Sequence, residues 1–107
     1  MAKDAVSGIV ANLRGEVIAY GKGAENVFGY SQKEIIGKNV AVFHPKGSGK
    51  TLERLFRTAM EKGVFEERLT LVRKGGQKFQ AILKVTAVRN GKGEITGLAG
   101  LTREIRG

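Results

Sequence analysis

Apolar residues alternate with polar ones near both ends of the chain and recur every third or fourth residue in the middle, so strands should flank helices. Gly8-Ile9-Val10-Ala11-Asn12 carries a β-branched pair and reads as a short strand. Leu13-Arg14-Gly15 turns it, and Glu16–Tyr20 returns as its hairpin partner. Gly21 and Gly23 break the strand pattern. Asn26-Val27-Phe28 is then apolar on one side and stops at Gly29. In Ser31-Gln32-Lys33-Glu34, a Ser precedes a Glu by three residues just before Ile35-Ile36, which is a capping box. Gly37 follows where a helix would close on a left-handed residue. Two helices this short cannot stand alone and must lie on the strands.

Asn39–Phe43 is a brief apolar segment ending at His44-Pro45, and Lys46-Gly47-Ser48-Gly49-Lys50 is a polar, glycine-rich loop. The periodicity predicts a longer helix over Thr51–Lys62. Leu52, Leu55, Phe56, Ala59 and Met60 share one face, Thr51 caps it, and Gly63 ends it. Three strands follow over Phe65–Arg73, Gln77–Arg89 and Glu94–Ile105. Their hairpin-length turns, Lys74-Gly75-Gly76 and Asn90-Gly91-Lys92-Gly93, make them antiparallel. In the middle strand Phe79, Ala81, Leu83, Val85 and Ala87 fall on one face. The order of elements predicts an α+β fold: one five-stranded antiparallel sheet with short helices and one longer helix packed on one face. Residues 1–6 read as a tail, 7–105 as one domain, and 106–107 as a stub toward an output region.

Composition narrows the chemistry. There is no Cys, so disulfides and thiolate metal sites are out. No apolar run reaches the roughly 18 residues of a membrane span, and the N-terminus has no apolar signal region, which makes the cytoplasm the expected compartment. The net charge is +9, but the 19 basic residues are scattered and not interleaved with aromatics, which argues against nucleic acid. Gly49-Lys50-Thr51 mimics part of a phosphate-binding P-loop, yet His44 stands where that motif needs its first Gly. One His, one Asp and no Cys cannot build a catalytic triad or a closed transition-metal site. Glu66 and Glu67 are neighbours on a strand and point to opposite faces, so they are not an acid–base pair. Arg103 and Glu104 read as surface charges.

FGYSQKEIIGK resembles the "FGYS-x-E-IIGK" signature of PAS domains. Gly15 in the first turn, EKG closing the helix before VFEERLTLVRKGGQKF, and the G-x-I-x-G-x-x-G-x-T-R-E-I ending agree with it over residues 7–105. Two places depart from the family: Gly21 or Gly23 stands where an Asn usually precedes the first helix, and Glu104-Ile105-Arg106 replaces the closing Asp-Ile-Thr. The resemblance implies a sensor or interaction module of a signalling protein rather than an enzyme. It also implies a small-molecule site between the helices and the inner sheet face. The inward residues expected there are Phe28, Ile36, Val42, Leu55, Phe56, Leu71, Leu83, Leu98 and Thr102. Haem-binding members place a His on the helix that here spans 51–62. That helix has none, and His44 reads as a polar loop residue, so haem is not expected. A covalent flavin adduct is excluded by the absence of Cys, no residue argues for non-covalent flavin, and the identity of any ligand stays open. The alternative is a ligand-free dimerisation or interaction domain. Val72, Ile82, Val88, Ala99 and Leu101 should lie on the outer sheet face, where a second copy of the chain is the expected cover.

Overall fold

The computed structural model describes residues 6–106. Residues 1–5 of the expected tail, and Gly107, lie outside them. In chain order the elements are β1 (Val6–Asn12), β2 (Val17–Tyr20), α1 (Lys22–Phe28), α2 (Gln32–Ile35), a 3-10 turn (Val40–Phe43), α3 (Gly49–Lys62), β3 (Val64–Val72), β4 (Lys78–Arg89) and β5 (Ile95–Glu104). The five strands form one antiparallel sheet in the order β2-β1-β5-β4-β3. The last strand therefore runs through the middle and joins the N-terminal hairpin to the β3–β4 hairpin. Gly97 permits that closure. A Cβ there would stand 2.5 Å from the Ala11 carbonyl oxygen, too close for any side chain.

Local chemistry sets the helix ends. Ser31 Oγ accepts from the Glu34 N–H, and the Glu34 carboxylate accepts from the Ser31 N–H, completing the capping box at α2. Gly29 and Gly63 close α1 and α3 in the left-handed conformation, at φ of 83° and 86°. Gly21 precedes α1 with no side-chain cap, and its N–H bonds the Gly8 carbonyl on β1 instead. The start of α3 differs from expectation. The helix opens at Gly49, not Thr51, and Ser48 at its N-cap position offers no side-chain bond to the helix. The Ser48 hydroxyl donates to Pro45 O at 2.6 Å, so it tightens the loop rather than the helix.

All helices cover one sheet face, and the core beneath them has two halves. Under α1, α2 and the 3-10 turn lie Val17, Tyr20, Phe28, Ile35, Phe43, Leu71 and Phe79. Under α3 lie Leu55, Ala59, Phe65, Leu83, Val85 and Leu98. Phe28 centres the first half, 4.5 Å from the Phe43 ring and 5.7 Å from the Phe79 ring, both in the tilted geometry aromatic pairs prefer. It is 1 % exposed. Phe28→Ala should therefore cost about 3–5 kcal/mol as a large-to-small core change, read as a lowered urea midpoint. Phe56, half-buried at the end of its half-core, should lose less on the same change, and equal losses would refute this packing.

Candidate functional site

A cavity of about 60 Å³ opens at the seam between the two half-cores. Its floor is the inner sheet face, with Ile9 and Ala11 from β1, Leu71 from β3, Leu83 and Val85 from β4, and Leu98, Gly100 and Thr102 from β5. Its roof is Phe28 of α1, Val40, Phe43 and His44 of the 3-10 turn and its end, and Leu52, Leu55 and Phe56 of α3. Alternation decides the floor. Leu83 pairs with Thr102, Val85 with Gly100 and Ala87 with Leu98, so these residues share the covered face. Gly100 leaves the floor low. A Cβ there would meet Leu83 and Val85 at 3.7 and 3.9 Å, and a longer side chain would rise into the cavity.

The roof needs pinning, because a 3-10 turn and helices of seven and four residues have little stability of their own. The β1–β2 hairpin supplies it. Gly15, at φ 80°, turns so that its carbonyl accepts from the Val40 N–H at 2.8 Å. Val17 exchanges backbone bonds with the 37–38 segment at 2.8 and 2.9 Å, and Asn39 Nδ2 donates to Arg14 O. Charge pairs hold the rim. Arg54 of α3 grips Glu67 of β3 through both terminal guanidinium nitrogens and lies over the Phe65 ring. Lys74 in the β3–β4 turn donates to the Glu34 carboxylate of α2 at 2.8 Å, and it is the largest influence lowering the Glu34 pKa. Arg73 joins Glu104 of β5 at 2.9 Å, the Val27 carbonyl of α1 at 2.8 Å, and the Phe79 ring at 4.1 Å. Glu104 is thus not a free surface charge; it ties the end of the central strand to α1. Arg103 is exposed, as is Glu66, while Glu67 faces α3.

Of the expected inward residues, Phe28, Leu55, Phe56, Leu71, Leu83, Leu98 and Thr102 line the cavity. Ile36 and Val42 do not. They are 43 % and 36 % exposed, because Ile35 of α2, and Val40 and Phe43 of the 3-10 turn, take the inward side. The expected outer-face residues split up. Leu101, 49 % exposed, lies against Gly8, with Ala99 and Val10 next along the same face. Ile82 sits between Arg68 and Arg103 in one cross-strand row. Val72 stands opposite Lys78 and Val88 opposite Gly97, at opposite ends of β4.

His44 is the residue the sequence left in the loop. It is half-buried on the cavity wall, and burial pushes its pKa down to about 4. Nothing in the sequence around His44-Pro45 signals this, since its direction follows from the Gly15 anchor rather than from periodicity.

The profile of the PAS domain family matches residues 5–106. The chain belongs to the PAS domain family. No curated protein sequence matches it. Among solved structures, the PAS domain of a protein from Colwellia psychrerythraea superimposes with a TM-score of 0.89 at 22 % identity, over 94 % of this chain and 86 % of that one. The light-state structure of the LOV domain of the blue-light photoreceptor Aureochrome1 gives 0.78 at 21 %, over 94 % and 81 %. A light-oxygen-voltage domain studied with a flavin analogue gives 0.78 at 21 %, over 97 % and 78 %. These likenesses are of fold. PAS domains are sensory and interaction modules, and this one has that frame.

Neutral His44 makes the PAS core sensitive to acid. Its folded pKa lies below the ordinary value of 6.5. Below pH 6.5 the unfolded chain binds a proton that the folded one refuses until about pH 4. The stability so conferred is complete above 6.5 and falls as the pH drops toward 4, by roughly 2–3 kcal/mol at pH 4.5. Urea midpoints between pH 7 and 4.5 should show that fall in the wild type and a much flatter profile in His44→Gln. The lowered carboxyl pKa values of Glu16 and Glu34 place their own losses at lower pH.

Proposed function

We propose that this PAS domain is a sensory module that takes a small molecule into the seam cavity and passes its state to a partner or effector domain of a signalling protein. The carrying observation is the cavity's position. Its walls come from both half-cores and from four of the five strands, β5 included. A ligand there would bear on the central strand, whose end is held by Arg73 at Glu104. The reading is of a binding module and assigns no catalytic step.

The flavin of light-sensing relatives does not fit these residues. A flavin presents an amide-rich edge and a ribityl phosphate, whereas only Thr102 and His44 on this lining carry polar side chains and none carries a positive charge. The volume is also too small for three fused rings, and no Cys exists to form an adduct. A porphyrin is larger still, so His44 is not read as a haem ligand.

The reading is tested by the cavity's permeability. Xenon is a small apolar probe and enters dry apolar cavities. Dissolved under pressure, it should shift the methyl resonances of Leu83, Val85 and Leu98 in the wild type. Gly100→Val, which fills the floor, should suppress those shifts while the remaining spectrum stays folded. Unshifted wild-type methyls would mean a closed core and end the ligand reading.

A second reading, self-association, is favoured by Leu101. Its exposed side chain, with Ala99 and Val10 beside it, forms an apolar spot on the outer face. A two-fold contact would pivot there rather than on Ile82, whose flanking Arg68 and Arg103 would meet their own copies. Lys84 also stands opposite Leu101, so the contact is weak and strengthens with salt as like charges are screened. Sedimentation equilibrium should show a low-affinity homodimer that Leu101→Glu reduces to monomer. A wild type monomeric at every concentration and salt would rule out this contact.

A further inference from the structure

We propose that the outer sheet face is a docking surface for an anionic lipid bilayer, one half of the face meeting the acyl boundary and the other the headgroups. The inference does not rest on the seam cavity, which lies on the other side of the sheet.

The strand register divides this face. Over β2, β1 and the facing part of β5 it carries no charge. Ala19 pairs with Val10 and Val10 with Ala99, and Leu101 stands beside them opposite Gly8. Ile18 is the extra residue of a bulge: Val10 meets Ala19 and Ala11 meets Val17, so Ile18 has no partner on β1. It is 54 % exposed at the sheet edge, and Leu101 is 49 % exposed. Two aliphatic side chains therefore stand out of a low, uncharged floor.

Toward β3 the same face is cationic. Leu101 pairs with Lys84, Arg103 with Ile82, and Ile82 with Arg68, while Lys78 lies further along β4. Arg68, Lys78, Lys84 and Arg103 are exposed, and none has an ion-pair partner among the described residues. Glu66, opposite Lys84, is the one acid at an outer position of the described strands.

A bilayer meets both halves. Apolar side chains entering its boundary and cations over its anionic headgroups act together, each Lys or Arg near such a surface strengthening binding about fivefold. Lipids also move beneath the protein, so cations on strands about 5 Å apart need no fixed pattern of partners. An acidic protein would have to supply that pattern. Nucleic acid stacks its bases on aromatic rings, and no aromatic side chain stands at an outer position of the described strands. A second copy of the chain would bring Lys84 and Arg103 near their own images. The two occupants compete for Leu101 and respond oppositely to these charges.

The test is co-sedimentation of the whole chain with phosphatidylcholine vesicles, with and without phosphatidylserine. The protein should pellet with the second kind and stay in solution with the first. Lys84→Gln combined with Arg103→Gln should weaken binding about thirtyfold. The same two substitutions should strengthen a homodimer at sedimentation equilibrium without lipid, which separates the two occupants. Arg57→Gln combined with Lys62→Gln removes as much charge from α3, beyond a Debye length of the lipid, and should leave binding within about twofold. Ile18→Ser combined with Leu101→Ser should weaken it at least about tenfold, with the urea midpoint unchanged because both residues are exposed. Equal losses from the two charge pairs would make the binding a matter of net charge and overturn the proposal. So would a protein that ignores both vesicles. If that protein is retained by polyglutamate through Lys84 and Arg103, the face belongs to an acidic protein instead.

Discussion

A five-stranded sheet with one apolar face must be covered, and this chain covers it with helices of seven, four and fourteen residues and a 3-10 turn. The first two helices and the turn are too short to persist alone. Their places depend on Phe28 and Phe43, which plant aromatic rings against Phe79 of the sheet and against each other. Everything over the N-terminal half of the sheet follows from that cluster and from the backbone bonds that Gly15 and Val17 extend to residues 37–40. The longer helix covers the other half with its own core. Where the two covers meet, neither fills the space, and the cavity is the result.

The charged groups serve this arrangement from outside. Three of the pairs tie a covering helix to the sheet or its β3–β4 turn, or the turn to the central strand: Arg54 of α3 with Glu67 of β3, Lys74 of the turn with Glu34 of α2, and Arg73 of the turn with Glu104 of β5 and the end of α1. The more exposed of these, Lys74–Glu34 and Arg54–Glu67, contribute little stability individually. Their value is geometric, since they fix how the roof elements sit over the floor while the lining stays free of ionised groups. Arg73 has the most consequential position, because Glu104 ends the central strand and the chain leaves the sheet there. The usual Asp-Ile-Thr of the family is Glu-Ile-Arg here, and the longer Glu104 side chain reaches Arg73.

The two sheet faces are unlike. The inner face is apolar apart from Ser7, Glu67, Thr102 and Glu104, while the outer face interleaves Arg68, Lys78, Lys84 and Arg103 with Ile82 and Leu101. A sheet with one solvated face normally alternates in this way. The outer apolar residues therefore form a small spot near Leu101 and an isolated Ile82, not a continuous patch. The difference matters for how two copies could meet.

Local pattern determined a good deal of this protein. Alternation on β4 and β5 placed Leu83, Leu98 and Thr102 inward, helical spacing placed Leu55 and Phe56 on the covered face of α3, and the Ser31–Glu34 spacing marked the start of α2. These succeed because period and capping are properties of residues a few positions apart. Ile36 and Val42 were misplaced because one turn of helix has too few residues for a period to define its face, so burial was decided by Ile35 and Phe43. Only the tertiary structure put β5 between β1 and β4, turned His44 to the cavity, and paired Glu104 with Arg73 across 31 residues. Strand order, the direction of a loop residue and a distant ion pair are set by which surfaces meet when the chain closes on itself. No local periodicity carries that information, which is why the chemistry of the floor was legible in the sequence and the loop-borne part of the roof, His44 above all, was not.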